Sequence, residues 1–164
     1  MALIITAPEE IYSIQNNNNI KMFLAGGISG CSDWQSYVVN ELRDIENLTV
    51  YTPRRKKFPI NDPNAAEEQI TWEYQHLRDA NILFFWFSRG SLNPIVLYEL
   101  GMWCNSTDKI AIIGIDPEYE RKQDVVIQTK LARPNAVFFN SLSEMIDEVN
   151  YLFKNILNTG EEDE

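Results

Sequence analysis

The chain has 164 residues, which is enough for one domain of ordinary size and too little for two. With 45% hydrophobic and 23% charged residues, it has the composition of a globular protein, which excludes a fibrous or disordered chain. The net charge of −10 repels phosphate backbones, and the single basic cluster, Arg54–Lys57, is too short to offset it. We therefore expect no polymeric nucleic acid as a partner.

Membrane and metal partners are also disfavoured. No apolar run approaches the roughly 18 residues that a membrane span needs, and the apolar start, Met1–Ala7, lacks the basic residues of a signal peptide. Cys31 and Cys104 lie far apart and His76 is the single histidine, so a Cys/His zinc site lacks ligands. We expect a cytoplasmic protein that needs neither a metal nor an organic cofactor.

The two ends of the chain differ from its middle. Residues 1–19 form an extension that ends in the polar run Asn16–Asn19, which is typical of a linker. Within the extension, Leu3–Ile5 either adds an edge strand to a sheet or stays loose. Residues 20–157 are expected to form one domain, and residues 158–164 an acidic, solvated tail.

Short apolar runs between turn signals predict five strands. Ile82–Phe87 is apolar at every position, which is typical of a strand covered by helices on both faces. The predicted strands are Met22–Ala25, Leu48–Tyr51, Ile82–Phe87, Lys109–Gly114 and Ala136–Phe139.

Five helices are predicted, over about 32–46, 62–79, 95–104, 121–132 and 141–157. Capping boxes mark the start of the first, with Ser32 and Gln35, and of the last, with Ser141 and Glu144.

The second helix carries a candidate core face. Ile70, Tyr74 and Leu77 form its apolar stripe, and His76 is expected at the helix surface.

The regular alternation of strands and helices predicts an α/β fold. We expect a doubly wound, five-stranded, mainly parallel sheet with helices on both faces. In such sheets a ligand binds beyond the carboxyl ends of the strands, where the strand order reverses. This rule singles out the Gly26–Ser32 turn, the segment around Arg54, and the Ser88–Glu99 turn.

The glycine turn Gly26–Gly30 lets a ligand approach the backbone closely, although a plain tight turn has the same composition. It lacks the dinucleotide-binding fingerprint, and the next strand runs into Pro53 rather than an acidic residue. A dinucleotide site is therefore disfavoured.

Two glutamates stand out among apolar neighbours. Glu99 lies in an almost wholly apolar helix, and Glu73 lies between Ile70 and Leu77. Each is either an ordinary solvated side chain or a functional one, because burying a charge without partners is costly. Together they could divide the roles of nucleophile and acid, with the more desolvated carboxyl raised in pKa.

Several residues next to these segments have both a structural and a functional interpretation. Arg54 and Arg55 bind an anion or offset the surface acid. Asp79 and Asn81 lie at the end of the second helix, where a capping role is the simplest interpretation.

Six segments in order resemble the nucleoside 2-deoxyribosyltransferase-like superfamily, which includes the transferases proper and nucleotide N-glycoside hydrolases. They cover about residues 21–130. The segments are Phe23–Ile28, Thr52–Arg55, Gln69–Glu73, Leu77–Phe87, Asn93–Gly101 and Pro117–Val125.

The resemblance implies a role for each matched position. Glu99 falls on the family's nucleophile, which attacks the anomeric carbon, and Glu73 falls on the acid that protonates the departing base. Asn93 stands where transferases have an aspartate for the sugar hydroxyl and nucleotide hydrolases a serine. Substrate-binding contributions are expected from Gly26, Gly27, Ser29, Arg54, Asn81, Trp86 and Asn93.

The resemblance therefore implies cleavage of the N-glycosidic bond of a (deoxy)nucleoside or a nucleoside 5′-monophosphate, with transfer to another base or to water. Phe23 replaces a tyrosine and Asn93 an acid of the family pattern, and these departures favour the alternative of a nucleotide-binding sensor without turnover. By analogy with the family, the expected partners are a small nucleoside or nucleotide and a second copy of the chain.

Overall fold

The fold is described by a computed structural model that covers residues 1–10 and 18–159. Part of the expected linker, Asn16 and Asn17, and most of the expected tail, residues 160–164, lie outside the described residues. The described residues form six strands and five helices. In chain order they are β1 (Leu3–Thr6), β2 (Ile20–Gly26), α1 (Trp34–Leu42), β3 (Leu48–Thr52), α2 (Ala65–Asp79), β4 (Ile82–Phe87), α3 (Pro94–Trp103), β5 (Ile110–Ile115), α4 (Lys122–Ala132), β6 (Phe138–Phe139) and α5 (Leu142–Thr159).

All six strands belong to one parallel sheet in the order β1-β3-β2-β4-β5-β6. The predicted α/β fold is confirmed, and the sheet has one strand more than predicted. The added strand is β1, which pairs with β3 from Leu3 opposite Thr49 to Thr6 opposite Thr52. The chain moves from β2 to β3 on one side and then back to β4 on the other. The strand order therefore reverses between β2 and β4.

The sheet has a hydrophobic core on each face, because successive side chains of a strand point to opposite sides. On one face, Phe85 and Phe87 of β4 pack with Trp72 of α2 and Leu100 of α3. On the other face, Phe84 and Trp86 lie in the core formed with α1 and α5. The helices therefore cover both faces, as predicted.

The start of α1 differs from its prediction. Asp33, rather than Ser32, caps the helix, because its Oδ1 accepts a hydrogen bond from the Ser36 backbone N–H at 3.1 Å. Gln35 does not complete the predicted capping box, because its side chain donates instead to the Gly27 carbonyl.

At α5 the predicted capping box is confirmed. The Ser141 hydroxyl accepts from the Glu144 N–H, and the Glu144 carboxylate accepts from the Ser141 N–H.

The predicted apolar stripe of α2 is wrong at Ile70 and Tyr74, which are exposed, and confirmed at Leu77, which is buried. His76 is buried together with Trp72, so its expected position at the helix surface is also wrong. His76 stacks on Trp72 with ring centroids 3.8 Å apart, and it meets the edge of the Tyr51 ring. Large aromatic and polar residues alternate along α2, so the sequence pattern does not predict which face of the helix packs against the sheet.

None of the helices in the described part of the chain is long and apolar enough to cross a membrane.

Candidate functional site

A pocket of about 440 Å³ opens at the carboxyl ends of β2 and β4, where the strand order reverses. Its volume falls within the range of about 300–1,000 Å³ that is typical of small-molecule sites. The glycine turn after β2 forms one wall, and α2 and α3 form the others. The lining residues used below are Phe23, Gly26, Gly27, Ser29, Phe58, Gln69, Ile70, Glu73, Ser91, Asn93, Ile95 and Glu99.

Glu73 and Glu99 reach the pocket from α2 and α3. Both are half-buried. Burial and the nearby charge of Glu73 raise the pKa of Glu99 to about 8. Burial also raises the pKa of Glu73, whereas a hydrogen bond from Gln69 and the positive charge of Arg55 oppose that rise. The two carboxyl groups therefore favour holding a proton between them near neutral pH.

Gly27 and Asn93 form a tight contact at the floor of the pocket. A side chain on Gly27 would overlap Asn93 Oδ1 and Cys31 Sγ. Asn93 itself is buried and has a left-handed backbone, with φ 50°, immediately before α3. Its amide nitrogen donates to the carbonyls of Ser88 and Ser91 at 3.3 and 3.1 Å. This contact packs the glycine turn against the start of α3, the helix that carries Glu99.

Arg54 does not line the pocket. Its guanidinium group donates to the carbonyls of Cys31 and Ser32 and to the Gln35 side chain, and it pairs with Asp33 at 3.5 Å. Arg54 therefore ties the segment after the glycine turn to the start of α1.

Asn81 and Trp86 also lie away from the pocket. Asn81 precedes β4, at the amino end of the sheet, where its Oδ1 accepts from the Lys21 N–H at 2.9 Å. Trp86 points into the core under α1 and α5 because of strand alternation, whereas the pocket lies on the α2 and α3 face. Neither residue therefore lines this pocket, although both were expected to contribute to substrate binding.

The structure brings six of the predicted residues together in the pocket: Gly26, Gly27, Ser29, Glu73, Asn93 and Glu99. Sequence reasoning assigned no role to Gln69 or Phe58, which also line it. Gln69 could have been found from its spacing, because a residue four positions before Glu73 lies on the same side of the helix. Phe58 belongs to the long segment between β3 and α2, where no periodic pattern predicts a direction.

The residues that line the pocket include no lysine, arginine or histidine. The two stretches outside the described residues, 11–17 and 160–164, contain no basic residue either. The pocket's titratable side chains in the described part of the chain are therefore its two carboxyl groups. Such a site disfavours an anionic ligand and suits an uncharged or electron-poor one.

In doubly wound α/β domains ligands bind in the crevice where the strand order reverses, and the pocket with its paired carboxyl groups lies at this place. Residues 19–119 match the family described as nucleoside 2-deoxyribosyltransferase like, and this match covers more than half of the chain. The chain belongs to this family.

The fold also occurs in a solved structure, the crystal structure of a conserved protein from Enterococcus faecalis V583. The two chains superpose with a TM-score of 0.59 and share 16% sequence identity over 81% of this chain and 98% of the other. At this identity the likeness shows a common fold alone. No curated protein matches the sequence.

Proposed function

We propose that the protein cleaves the N-glycosidic bond of a nucleoside and transfers the sugar to another base or to water. The observation that carries the proposal is the pair Glu73 and Glu99, which face one pocket from two helices without a lining cation among the described residues. Family membership supports the same chemistry.

In the proposed reaction, a carboxylate oxygen of Glu99 attacks the anomeric carbon while the bond from that carbon to the base nitrogen breaks. The electron pair leaves with the base, and Glu73 gives its proton to the base. A second base or a water molecule then attacks the same carbon, Glu73 takes up a proton from it, and Glu99 is released. Two displacements retain the configuration of the sugar.

The proton shared by the two carboxyl groups must lie on Glu73 for this reaction. Burial and the charge of Glu73 by themselves favour keeping this proton on Glu99, whose pKa is about 8. Positive charge that develops on the sugar favours the ionised form of the neighbouring Glu99. A base nitrogen that accepts a hydrogen bond from Glu73 favours the protonated form of Glu73. Substrate therefore helps to set the reactive arrangement.

The test is release of free base from a panel of deoxynucleosides and ribonucleosides, followed by chromatography. E99Q should lower the rate by more than about 1,000-fold, because it removes the proposed nucleophile that forms the glycosyl-enzyme. E41Q, which removes an exposed glutamate of α1, is the matched control and should keep the full rate. No base from any substrate, or equal rates for wild type and E99Q, would contradict the proposal.

The charge of the pocket favours a nucleoside over its 5′-monophosphate. A phosphate would add a charge of about −1.5 to −2 near two carboxyl groups. We expect kcat/KM for a nucleoside to exceed that for its monophosphate by at least about 100-fold. S91R, which places a cation at the pocket wall, should narrow this ratio. A wild-type preference for the monophosphate would contradict this assignment and leave the bond-cleavage proposal standing.

A binding protein without turnover is the second candidate. Phe23 lines the pocket without a hydroxyl to orient Glu99, and the pKa of about 8 leaves Glu99 mostly protonated at neutral pH. Calorimetric binding of a nucleoside by wild-type protein, with no free base after long incubation, would favour this function.

We also propose that two copies of the chain associate through the apolar surface of α2 and α3. Exposed side chains on the two helices form this surface, and the rings of Tyr74 and Trp103 lie 5.8 Å apart across it. Its exposed members are Ile70, Tyr74, Ile95, Tyr98 and Met102. A contiguous apolar surface at a pocket rim is typical of an interface.

Light scattering after gel filtration should give the mass of a dimer or larger assembly for wild type and of a monomer for Y98K. I127K, at an exposed position of α4, is the control and should keep the assembly. A monomeric wild-type protein would contradict the association.

The two free thiols, Cys31 and Cys104, support a further proposal that the protein works in a reducing compartment, the cytoplasm.

A further inference from the structure

Gln69 lies one helical turn before Glu73 and contacts it directly. Its side-chain nitrogen donates a hydrogen bond of 2.7 Å to Glu73 Oε1. The same nitrogen donates to the Pro53 carbonyl at 2.9 Å. Because an amide nitrogen has two hydrogens, both are used, and one of them is directed at a single oxygen of Glu73.

Arg55 fixes which way the Gln69 amide points. Arg55 Nε donates to Gln69 Oε1 at 2.6 Å. A guanidinium group can only donate, so the amide oxygen must face it and the amide nitrogen must face Glu73. Arg55 is itself held, since its side chain is 8% exposed and its Nη2 lies 2.8 Å from Glu68 Oε1. If the amide were reversed, its NH2 hydrogens would face the N–H hydrogen of Arg55.

We propose that Gln69 is a positioning residue that occupies Oε1 of Glu73 with a hydrogen-bond donor and so leaves Oε2 as the oxygen that carries the proton to the leaving base. The assignment of this proton to the base rests on the proposed function. The hydrogen-bonded chain from Arg55 through Gln69 to Glu73 is independent of it.

The charges around Glu73 agree with this role. Burial raises the pKa of Glu73, and the Gln69 hydrogen bond and the Arg55 charge lower it. The charge of Glu73 in turn raises the pKa of Glu99 on α3. Glu68 pairs with Arg55 through Nη2, whereas Gln69 accepts from Nε. Loss of the Gln69 donor therefore makes Glu73 hold its proton more tightly.

The first experiment measures this effect without catalysis. Full-length protein with ¹³C-labelled glutamate is titrated by NMR, and E73Q assigns the Glu73 carboxyl signal. In Q69M, which keeps the length and removes the donor, the titration midpoint of Glu73 should rise by about one pH unit. Q75M makes the same substitution on the exposed side of α2 and should leave the midpoint unchanged. An unchanged midpoint in Q69M overturns the proposal.

A second variant covers the case in which Q69M does not fold. Q69E keeps the acceptor for Arg55 but has no amide hydrogen to donate, so it should move the midpoint in the same direction. A midpoint that stays or falls in Q69E overturns the proposal as well.

The second experiment compares leaving groups. Q69M should lower kcat for release of a natural base by about 10-fold or more, because protonation of the base is misdirected. It should hardly affect a nucleoside analogue whose p-nitrophenolate departs without a proton. Equal losses for both substrates would indicate a merely structural role and overturn the assignment. If wild type cleaves neither substrate, the proposed function fails, and the titration still decides whether Gln69 controls Glu73.

Discussion

At the scale of single residues, the raised pKa of Glu99 makes the stability of the folded protein depend on pH. A carboxyl group whose pKa is raised by folding binds its proton more tightly in the native state than in the unfolded one. Its contribution to stability is therefore complete below the unfolded value of 4.5, and it is lost as the pH rises through the native value of about 8.

The resulting prediction compares wild type with E99Q in urea unfolding at pH 5 and pH 9. Over this interval wild type should lose stability relative to E99Q, by up to about 1.4 kcal/mol for each pH unit between the two pKa values. The reason is that only wild type must ionise a buried group. A stability difference that is the same at both pH values would show that Glu99 is not desolvated.

The same residue predicts the pH dependence of catalysis. Because the reactive arrangement needs one proton on the pair Glu73 and Glu99, kcat/KM for base release should fall as the pH rises through an apparent pKa near 8, where that proton is lost. Measurement of kcat/KM between pH 6 and pH 10 tests this. A rate that keeps rising above pH 8 would show that no shared proton is needed.

His76 should make stability depend on pH in the direction opposite to that of Glu99. Burial lowers the pKa of His76, while its hydrogen bond with the Trp72 carbonyl and the charge of Asp79 oppose this effect and that of Lys21 adds to it. The lowered pKa means that the native state prefers neutral histidine, so stability falls as the pH drops below about 6.5.

H76F keeps the ring that stacks on Trp72 and cannot be protonated. At pH 7.5 it should be less stable than wild type by about 1 kcal/mol, because the hydrogen bond to the Trp72 carbonyl is lost. By pH 5 the difference should have narrowed or reversed, as measured by urea unfolding. A constant difference would show that His76 does not titrate in this range.

Single residues also mark the limit of what the sequence predicts. Glu99 could be singled out because an acid in an apolar helix is unusual. Trp86 could not be placed, because in a strand that is apolar on both faces the sequence does not tell which side chains face the pocket. Asn81 was misplaced for a different reason: it lies near the strand that reaches the site, but at that strand's opposite end.

At the scale of elements, the start of α3 depends on the contact between Asn93 and Gly27. Asn93 has a positive φ, which suits asparagine better than most residues, and its side chain lies where a methyl group on Gly27 would be. The glycine turn and α3 can therefore approach only while position 27 has no side chain.

The prediction is that G27A destabilises the protein by about 1–3 kcal/mol, because Asn93 or Cys31 must move. G101A, inside α3, is the matched control. Nothing lies within 4 Å of the added methyl group there, and alanine should stabilise the helix by about 0.5–1 kcal/mol. Unfolding midpoints in urea measure both, and a neutral G27A would contradict the tight packing.

The elements themselves were largely predictable, since buried strands and capping boxes are local patterns. The Ser141–Glu144 box is local and was found, whereas at α1 the local pattern offered both Ser32 and Asp33, and Asp33 is the residue that caps the helix and also pairs with the distant Arg54. Exposed Ile70 and Tyr74 also misled the assignment of the α2 face. They belong to the proposed interface and not to the core.

At the scale of the whole molecule, β1 completes the sheet beyond β3. Ile5 of β1 is 3% exposed and lies in the same core as Tyr51 and Trp72. The Trp72 indole also donates to the Glu9 carbonyl at 2.9 Å, so the first ten residues are joined to α2 as well. The sequence left this strand open, because a run of three apolar residues is too short to choose between a strand and a loose end.

We predict that I5A lowers the free energy of unfolding by about 3 kcal/mol, as expected when a buried isoleucine is truncated to alanine. I110A, at the exposed first residue of β5, should cost less than about 1 kcal/mol. Urea unfolding of both variants measures the difference. Equal small effects would indicate that β1 adds little to the sheet.

The reversal of strand order places Glu73 and Glu99 on two different helices, each bound to the sheet by a hydrophobic core. Their spacing is thus set by packing rather than by a loop. Heating should consequently abolish the proposed activity and unfold the core in one cooperative event, so no folded but inactive form of the protein should accumulate on heating.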